Sequence, residues 1–256
     1  MIDTSSDAET RMLNVPAVRP ARYARSFTKL AICELRFPTM LEYEERAPTA
    51  FSKAVRHKYP IYERLTHVQL ESSDVTPHTG HAFHSRNRRW TATVRASALS
   101  VETEQYGSFD ELRTRIEGLI GAAKSTVQSD FFTRVGLRLV NAVHCTLPEL
   151  AQWINPMLVQ PLAAGTYGDV EEHWQRVRGR APHGGYNFMH GIIAGAPDSS
   201  QREYVLDFDF FSENVELSDT LAKVDALHAD MFSMLHWSLG DAAKAYLGEP
   251  LDVNGG

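Results

Sequence analysis

A ββαβ pattern of hydrophobic and polar positions covers residues 90–141 of the chain. Apolar and polar side chains alternate over 90–105, with a turn in the middle, and this period of two is typical of half-buried strands. Ser108 then precedes an apolar stripe at three- and four-residue steps, and Glu111 stands at the capping-box position of that helix. Alternation returns over 131–141. The pattern predicts a sheet with one face under the helix and the other face free.

Further elements are predicted on both sides of this unit. Turn residues dominate 74–80, and the histidine-containing segment 78–84 is predicted to be a flexible polar loop. The other predicted elements are a strand over Ala31–Phe37, a helix over 49–62, a strand over 65–71, a short helix over 147–157, a helix or strand over 169–180, paired strands over 186–193 and 202–211, and a long helix from Asp219.

This order of elements predicts an α+β fold, with one or more antiparallel sheets and long helices packed on one face. A hairpin followed by a long helix occurs at 90–127 and again at 186–239, which suggests a duplicated ββα unit. Leu119 and Leu235 lie in the middle of the two helical stripes and are predicted to be buried. The predicted organisation is a flexible arm over 1–28, a first α+β lobe over 29–145, a second lobe over 146–248 that shares the core, and a tail over 249–256.

Composition limits the partners and the cellular compartment. The chain has 256 residues and a formal net charge of -6, which argues against a general affinity for nucleic acid. It has no apolar run long enough to cross a bilayer and no basic-then-apolar leader, so we expect a cytoplasmic protein without a membrane partner. Cys33 and Cys145 lie in apolar strand patterns and are predicted to be buried free thiols. No motif calls for a cofactor.

Two short motifs carry a resemblance to a known family. The first is Cys33-Glu34-Leu35-Arg36-Phe37-Pro38, and the second is Gly136-Leu137-Arg138-Leu139-Val140-Asn141. Together with their spacing, they resemble the recurrent signatures of a sporadically distributed bacterial family of proteins of about this length. The resemblance covers most of the chain, from near Leu30 to near Leu247. It implies an α+β fold, a bacterial origin and an accessory role such as defence or toxin control, and it assigns no activity.

Charged residues are predicted to gather on one face of the sheet. Strand alternation places Glu34 and Arg36 on one side of the first strand, and Arg134 and Arg138 on one side of the strand after the helix. Two interpretations stay open, a solvated face with weak cross-strand ion pairs and a platform for a macromolecular partner. The candidate partner-binding residues are Arg36, Arg95, Arg134 and Arg138 on this face, with Arg88 and Arg178 in two basic loops.

Two groups of residues are candidates for metal binding. Three histidines, at 78, 81 and 84, would converge on one ion only if their segment coiled into a helical turn. Asp207 and Asp209 share one side of a strand and form a possible magnesium-binding pair, with His190 as a candidate third ligand. For both groups the sequence favours solvated polar residues, and we expect no bound metal.

The function that the sequence favours is non-enzymatic binding of another macromolecule. A protein is the expected partner, through the polar sheet face and the basic loops, and a second copy of the chain is an option. The first alternative is a metal-dependent hydrolase or nuclease that uses Asp207 and Asp209. The second alternative is an RNA-binding module, for which exposed aromatic rings among the arginines would be needed.

Overall fold

The sheet is the central feature of the fold. The computed structural model describes residues 12–46, 48–71, 74–193 and 201–251. Within these ranges nine strands form one antiparallel sheet in the order β2-β3-β4-β5-β1-β6-β9-β8-β7, which confirms an α+β fold with an antiparallel sheet. The strands are β1 (Thr28–Arg36), β2 (Ile61–Glu71), β3 (Asp74–His84), β4 (Thr91–Arg95), β5 (Ala98–Thr103), β6 (Phe131–Thr146), β7 (His173–Ala181), β8 (Gly184–Ile193) and β9 (Gln201–Glu216).

Two long helices and several short ones accompany the sheet. The longest connect β5 to β6 and follow β9. The helices are α1 (Glu42–Glu45), α2 (Thr49–Val55), α3 (Phe109–Thr126), α4 (Leu150–Trp153), α5 (Pro156–Ala163), α6 (Thr220–Ser238) and α7 (Asp241–Leu247), and a 3₁₀ turn covers Leu147–Glu149. No helix in the described ranges is both long enough and apolar enough to cross a membrane.

The predicted start of α3 is confirmed, with a change in the role of Glu111. The Ser108 side chain accepts a hydrogen bond from the Glu111 backbone amide at 3.3 Å, which satisfies one of the free amides at the helix start. The Glu111 carboxylate accepts from the Trp90 indole at 3.1 Å and from Arg89 at 2.7 Å. The cap therefore also fixes α3 against the residues that lead into β4.

Register separates the two faces of the sheet. Cys33 lies opposite Leu137, and Leu35 lies opposite Val135; all four side chains are fully buried. Leu139 is one alternation further along β6 and shares this buried face. Helices pack against this buried face near both ends of the sheet. Phe51 of α2 meets Phe83 of β3 edge to face, and Met231 of α6 lines one cavity together with Leu139.

Two segments predicted to be loops are strands. The loop prediction was wrong for both, although a helix or strand over 169–180 was also predicted and the strand is the form observed. The histidine segment 78–84 belongs to β3, which pairs with β2 on one side and β4 on the other. Ladder hydrogen bonds on both sides outweigh its turn-forming residues. The basic segment around Arg178 belongs to β7, the last strand of the sheet. Most residues of β7 are exposed on both faces, so its sequence lacks the apolar alternation that marks a half-buried strand.

Several smaller predictions have clear outcomes. Cys33 and Cys145 are buried free thiols, as predicted, and burial raises the pKa of the Cys33 thiol to about 12. Leu119 is buried, whereas Leu235 is only half-buried because it lines a cavity. The predicted helix over 49–62 ends much earlier, at Val55, because β2 already begins at Ile61.

The segment over 12–27, hereafter the N-terminal arm, contacts the body at several points. The Leu13 amide donates to the Arg180 carbonyl at 2.7 Å, and the Val18 amide donates to the Ser233 hydroxyl at 3.1 Å. Further along, the Leu251 amide donates to the Arg22 carbonyl at 2.8 Å. The arm therefore passes from the edge strand β7, across α6, to the residues that follow α7. The rest of the predicted flexible arm lies outside the described residues.

Candidate functional site: a polar sheet face

Five of the six predicted partner-binding arginines lie on one side of the sheet. In one lateral row, Arg95 is opposite Ala98, Ala98 is opposite Arg36, and Arg36 is opposite Arg134. In a second row, two alternations along β6, Arg138 is opposite Asp209, Asp209 is opposite Asn187, and Asn187 is opposite Arg178. Residues in register share a face, and we call this side the polar face. Its members are Glu34, Arg36, Arg95, Arg134, Arg138, Arg178, Asn187, Asp207 and Asp209.

The sixth predicted arginine is elsewhere. Arg88 lies in the turn between β3 and β4 with a φ of 54°, a left-handed conformation that is uncommon for a residue with a side chain. Its guanidinium stands 4.0 Å from the Glu63 carboxylate, and both side chains are more than half exposed. A pair of this kind contributes little to stability. Arg88 therefore remains a surface cation separate from the polar face.

Arg138 forms a two-point ion pair with Asp207 of the neighbouring strand. Its Nε donates to Oδ1 at 2.9 Å and its Nη2 donates to Oδ2 at 2.6 Å. Asp207 stands opposite Val140 in the register, so the arginine reaches diagonally along the strands. These hydrogen bonds raise the pKa of the Arg138 guanidinium. The Asp207 side chain is 8% exposed and that of Arg138 is 45% exposed, so the cation faces outward above its counter-ion.

Arg134 reaches its counter-ion across a glycine. Its register partner is Glu213, yet its Nη2 donates to both carboxylate oxygens of Asp209, at 2.7 and 2.9 Å, two alternations further along β9. To do so, the side chain lies along its own strand over Gly136, where an added Cβ would collide with the guanidinium. The guanidinium also lies 4.6 Å from the centre of the Phe211 ring.

Two further polar side chains complete this network. Asn187 donates to Asp209 Oδ2 at 3.1 Å from the strand on the other side. On β1, Glu34 accepts from Arg36 Nε at 2.7 Å and lies 3.8 Å from Arg134 Nη1. Three carboxylates from two strands, one on β1 and two on β9, thus neutralise three arginines. Charge-assisted, two-point hydrogen bonds of this type fix strand register as well as adding stability.

The ion-paired interpretation describes the centre of this face, but the counter-ions differ from those expected from the sequence. The sequence predicted Glu34 as the counter-ion if Arg36 and Arg138 formed a buried pair, and it favoured solvated side chains for Asp207 and Asp209. Glu34 does pair with Arg36, but Arg138 pairs with Asp207. A signal was present in the sequence: arginines four residues apart on one strand match two aspartates two residues apart on another. Only the register makes these two patterns neighbours.

Metal binding finds little support in the geometry. Both aspartates are engaged by guanidinium groups, and His190 is opposite Leu206, on the buried face, so it cannot join them. His81 lies opposite Val94 on the buried face, and His84 opposite Thr91 on the other, so they point apart. The described residues contain no group of three His, Cys, Asp or Glu side chains placed to hold a metal ion.

The polar face continues onto an exposed edge strand. Arg176, Arg178 and Arg180 of β7 all lie on its side of the sheet, because they are opposite Met189, Asn187 and Gly185. All three arginines are exposed. Two apolar side chains of β7 are exposed as well, Trp174 at 37% and Val177 at 42%. An edge with exposed aromatic and basic side chains is suited to contact with another chain.

Comparisons with known proteins leave the family resemblance as a prediction. A search of protein-family models finds no model that matches the chain. A search of curated proteins finds no similar protein.

Proposed function

We propose that this protein binds an acidic segment of a partner protein, which adds as an extended strand to β7 and contacts the polar face. The observation that carries the proposal is the continuity of charge between the two. A row of polar side chains runs from Arg138 through Asp209 and Asn187 to the exposed Arg178. The partner class and the role in a bacterial accessory system, such as defence or toxin control, come from the sequence and its family resemblance.

The backbone of β7 supports strand addition. In an antiparallel pair, successive residues alternate between facing the partner strand and facing away from it. The Arg180 carbonyl accepts from Leu13 of the N-terminal arm, so it faces away from β8. By alternation, the backbone groups of Trp174, Arg176 and Arg178 face away from β8 as well. An incoming strand would find these donors and acceptors already aligned.

The charges of β7 support an acidic partner. Arg176, Arg178 and Arg180 are exposed, and none of them forms an ion pair with a described residue. In contrast, the arginines at the centre of the polar face already have carboxylate partners. Arginine binds carboxylates through two parallel hydrogen bonds, so glutamate or aspartate in the added strand would be recognised directly. We assign Arg138 and Arg36 a secondary role, because each is about half exposed while paired.

The architecture suits a binding platform. Contacts from α2, α3 and α6 support the interpretation that the long helices cover one face and leave the polar face free for a partner. Arg113 of α3 forms a two-point ion pair with Asp225 of α6, at 2.7 and 2.8 Å, which ties the two long helices together. The duplicated ββα unit and the division into two lobes remain predictions. The predicted lobes would share one sheet, because β6 of the first and β9 of the second pair along nearly their whole length.

A proline substitution on β7 separates strand addition from charge. Arg176→Pro removes an amide that faces away from β8, so the sheet should stay intact while an added strand loses a donor. Arg176→Gln removes the charge but keeps the amide. We expect capture of a protein from the native host lysate to be reduced by Arg176→Gln and abolished by Arg176→Pro. Arg56→Gln, an exposed charge on the residue after α2, is the matched control.

Hydrogen exchange locates the contact. Amides of Trp174, Arg176 and Arg178 should exchange more slowly in the complex, because the added strand would hydrogen-bond them. Protection on other strands, with these three amides unchanged, would place the interface elsewhere and contradict strand addition. Binding to single-stranded RNA with a steep salt dependence would instead favour the RNA-binding alternative. One equivalent of metal that disappears on replacing Asp207 would favour the hydrolase alternative.

A further inference from the structure

A cavity of about 670 Å³ lies between the N-terminal arm and the body, on the other side of the sheet from the polar face. Arm residues 19–23 and 25–27, with Thr28 of β1, form one wall, and residues 106–110 at the start of α3 form another. Leu139 and Phe208 of the buried sheet face and one side of α6 complete it. Sites for small organic molecules have volumes of roughly 300–1,000 Å³.

The walls formed by the sheet and α6 are apolar. Leu139 and Phe208 come from the sheet, and Met231, Leu235 and Leu239 come from α6. Leu235, in the middle of the apolar stripe of α6, is only half-buried because its side chain faces the cavity. Burying such surface against the apolar part of a ligand is favourable at about 25 cal/mol per Å². The cavity therefore has a wall that suits a hydrocarbon chain or ring.

The opposite wall is positively charged. Arg19, Arg22 and Arg25 line it, and Asp110 is the single acidic residue among the lining residues. Arg25 is occupied, since it donates to the Tyr246 carbonyl at 3.2 Å and stands over the Tyr246 ring. Within the described ranges, Arg19 and Arg22 have no ion-pair or hydrogen-bond partner for their side chains. Two cations on the wall of an apolar cavity favour an anionic ligand.

His228 provides an independent indication of a ligand. It is 93% buried, lines the cavity and stacks flat on Phe109, with 3.5 Å between the ring centres. Neither of its ring nitrogens hydrogen-bonds to a described residue, and burial lowers its pKa to about 4. The ring nitrogens are not fully enclosed, so they border the open volume of the cavity. A neutral imidazole in this position offers one N–H donor to whatever occupies the cavity.

We propose that the cavity binds an organic carboxylate with an apolar body, such as a medium-chain fatty acid. The carboxylate is held by Arg19 and Arg22 and accepts from His228, while the apolar body lies against Leu139, Phe208 and Leu235. The walls favour a single negative charge over a phosphate, because most of the lining is apolar. A bound ligand contacts both the N-terminal arm and α6, so it also holds the arm against the body.

Three ligands with the same chain test the proposal on the wild-type protein. Decanoate, decanol and decyltrimethylammonium differ only in their head groups, and calorimetric titration measures the affinity of each. We expect decanoate to bind once, saturably, and at least tenfold more tightly than either of the others. Equal affinity for decanol would show a cavity that recognises only apolar surface. Tighter binding of the cation, or no saturable binding of decanoate, would overturn the proposal.

Two variants locate the site. Arg22→Gln and His228→Phe should each weaken decanoate binding about tenfold, because each removes one polar contact to the carboxylate. His228→Phe keeps a ring to stack on Phe109. Arg86→Gln, an exposed charge in the turn between β3 and β4, is the matched control and should bind as wild type. Unchanged affinity in both variants would place decanoate elsewhere, and thermal unfolding checks that each variant is folded.

This inference is independent of the proposed partner contact. Arg176→Pro should bind decanoate as wild type does, because β7 does not line the cavity. Conversely, His228→Phe should capture the partner protein normally. Failure of one proposal therefore leaves the other standing.

Discussion

The polar face and the cavity both gather arginines, but their charges are balanced in one and unbalanced in the other. On the polar face, Arg134 and Arg138 each hold a carboxylate through two hydrogen bonds shorter than 3 Å. At the cavity, the exposed Arg19 and Arg22 and the buried His228 have no hydrogen-bond or ion-pair partner for their side chains in the described part of the chain. Arginines in the two regions therefore have different consequences.

This difference indicates which charged side chains stabilise the fold and which are available to bind a ligand. A satisfied ion pair at low exposure fixes the register of β6 against β9 and has little left to offer a partner. A polar group without a protein partner can bind a ligand without breaking an existing contact. The predictions below test this division, and they run from the largest expected effect to the smallest.

The first prediction compares a leucine in the packed core with one that faces the cavity. Leu119→Ala should lower the free energy of unfolding by about 2–5 kcal/mol, because Leu119 is buried and the substitution leaves a void. Leu235→Ala should cost less than half as much, because its side chain already borders open volume. Urea unfolding measures both. Equal losses would mean that the cavity is filled in solution.

The second prediction uses pH to test the buried histidine. Burial lowers the pKa of His228 from 6.5 to about 4. The unfolded chain therefore binds more protons than the folded chain between these values, and the free energy of unfolding falls as pH falls from about 6.5 to 4. The loss is at most about 3 kcal/mol. Below pH 4 this contribution becomes constant.

His228→Phe removes this titration and keeps the aromatic stack. The variant should lose less stability than wild type on acidification, whereas His57→Gln, on the exposed surface, should behave as wild type. His190 adds a second contribution of the same sign, since burial also lowers its pKa to about 4. A His228→Phe variant with the full wild-type acid dependence would show that His228 is hydrated or already bonded.

Local pattern predicted much of the fold because hydrophobic period reports burial directly. The β4-β5-α3-β6 unit and the start of α3 at Ser108 follow from residues close in sequence. The strand β3 was missed, and β7 was predicted only ambiguously, as a helix or strand over 169–180 or as a basic loop. Strand formation in β3 depends on ladders to β2 and β4, and β7, at the edge, has no buried face to mark.

The candidate sites also differ in how far local sequence pattern could predict them. Alternation alone placed Arg36, Arg134 and Arg138 on one face, because β1 and β6 are each regular strands. It did not identify Asp207 and Asp209 as their counter-ions, because that requires the register of β6 against β9, about 70 residues apart in sequence. The cavity needs contacts between the arm, α3 and α6, which no local pattern encodes.

The third prediction compares two ion pairs that each have two hydrogen bonds and that differ in exposure. Arg134 and Asp209 have side chains 18% and 26% exposed, and those of Arg113 and Asp225 are both 38% exposed. Asp209→Asn should destabilise the fold by about 2 kcal/mol, because it leaves the Arg134 charge without its main partner in a poorly solvated position. Asp225→Asn should cost less than about 1 kcal/mol. Equal costs in urea unfolding would show that the polar face is as solvated as the helix surface.

The smallest effect is expected from a single methyl group under Arg134. Gly136→Ala places a Cβ where the guanidinium lies, so the ion pair to Asp209 must shift, and we expect a loss of about 1 kcal/mol. Gly121→Ala, in α3, meets no atom within 4 Å and should stabilise the fold by about 0.5–1 kcal/mol, since alanine favours helix. The same chemical change thus has opposite expected signs at two positions. In an Arg134→Met background the loss from Gly136→Ala should largely disappear, because no guanidinium has to be held over the glycine. If the loss persists in that background, it comes from the strand itself, and Gly136 is then not the path by which Arg134 reaches its counter-ion.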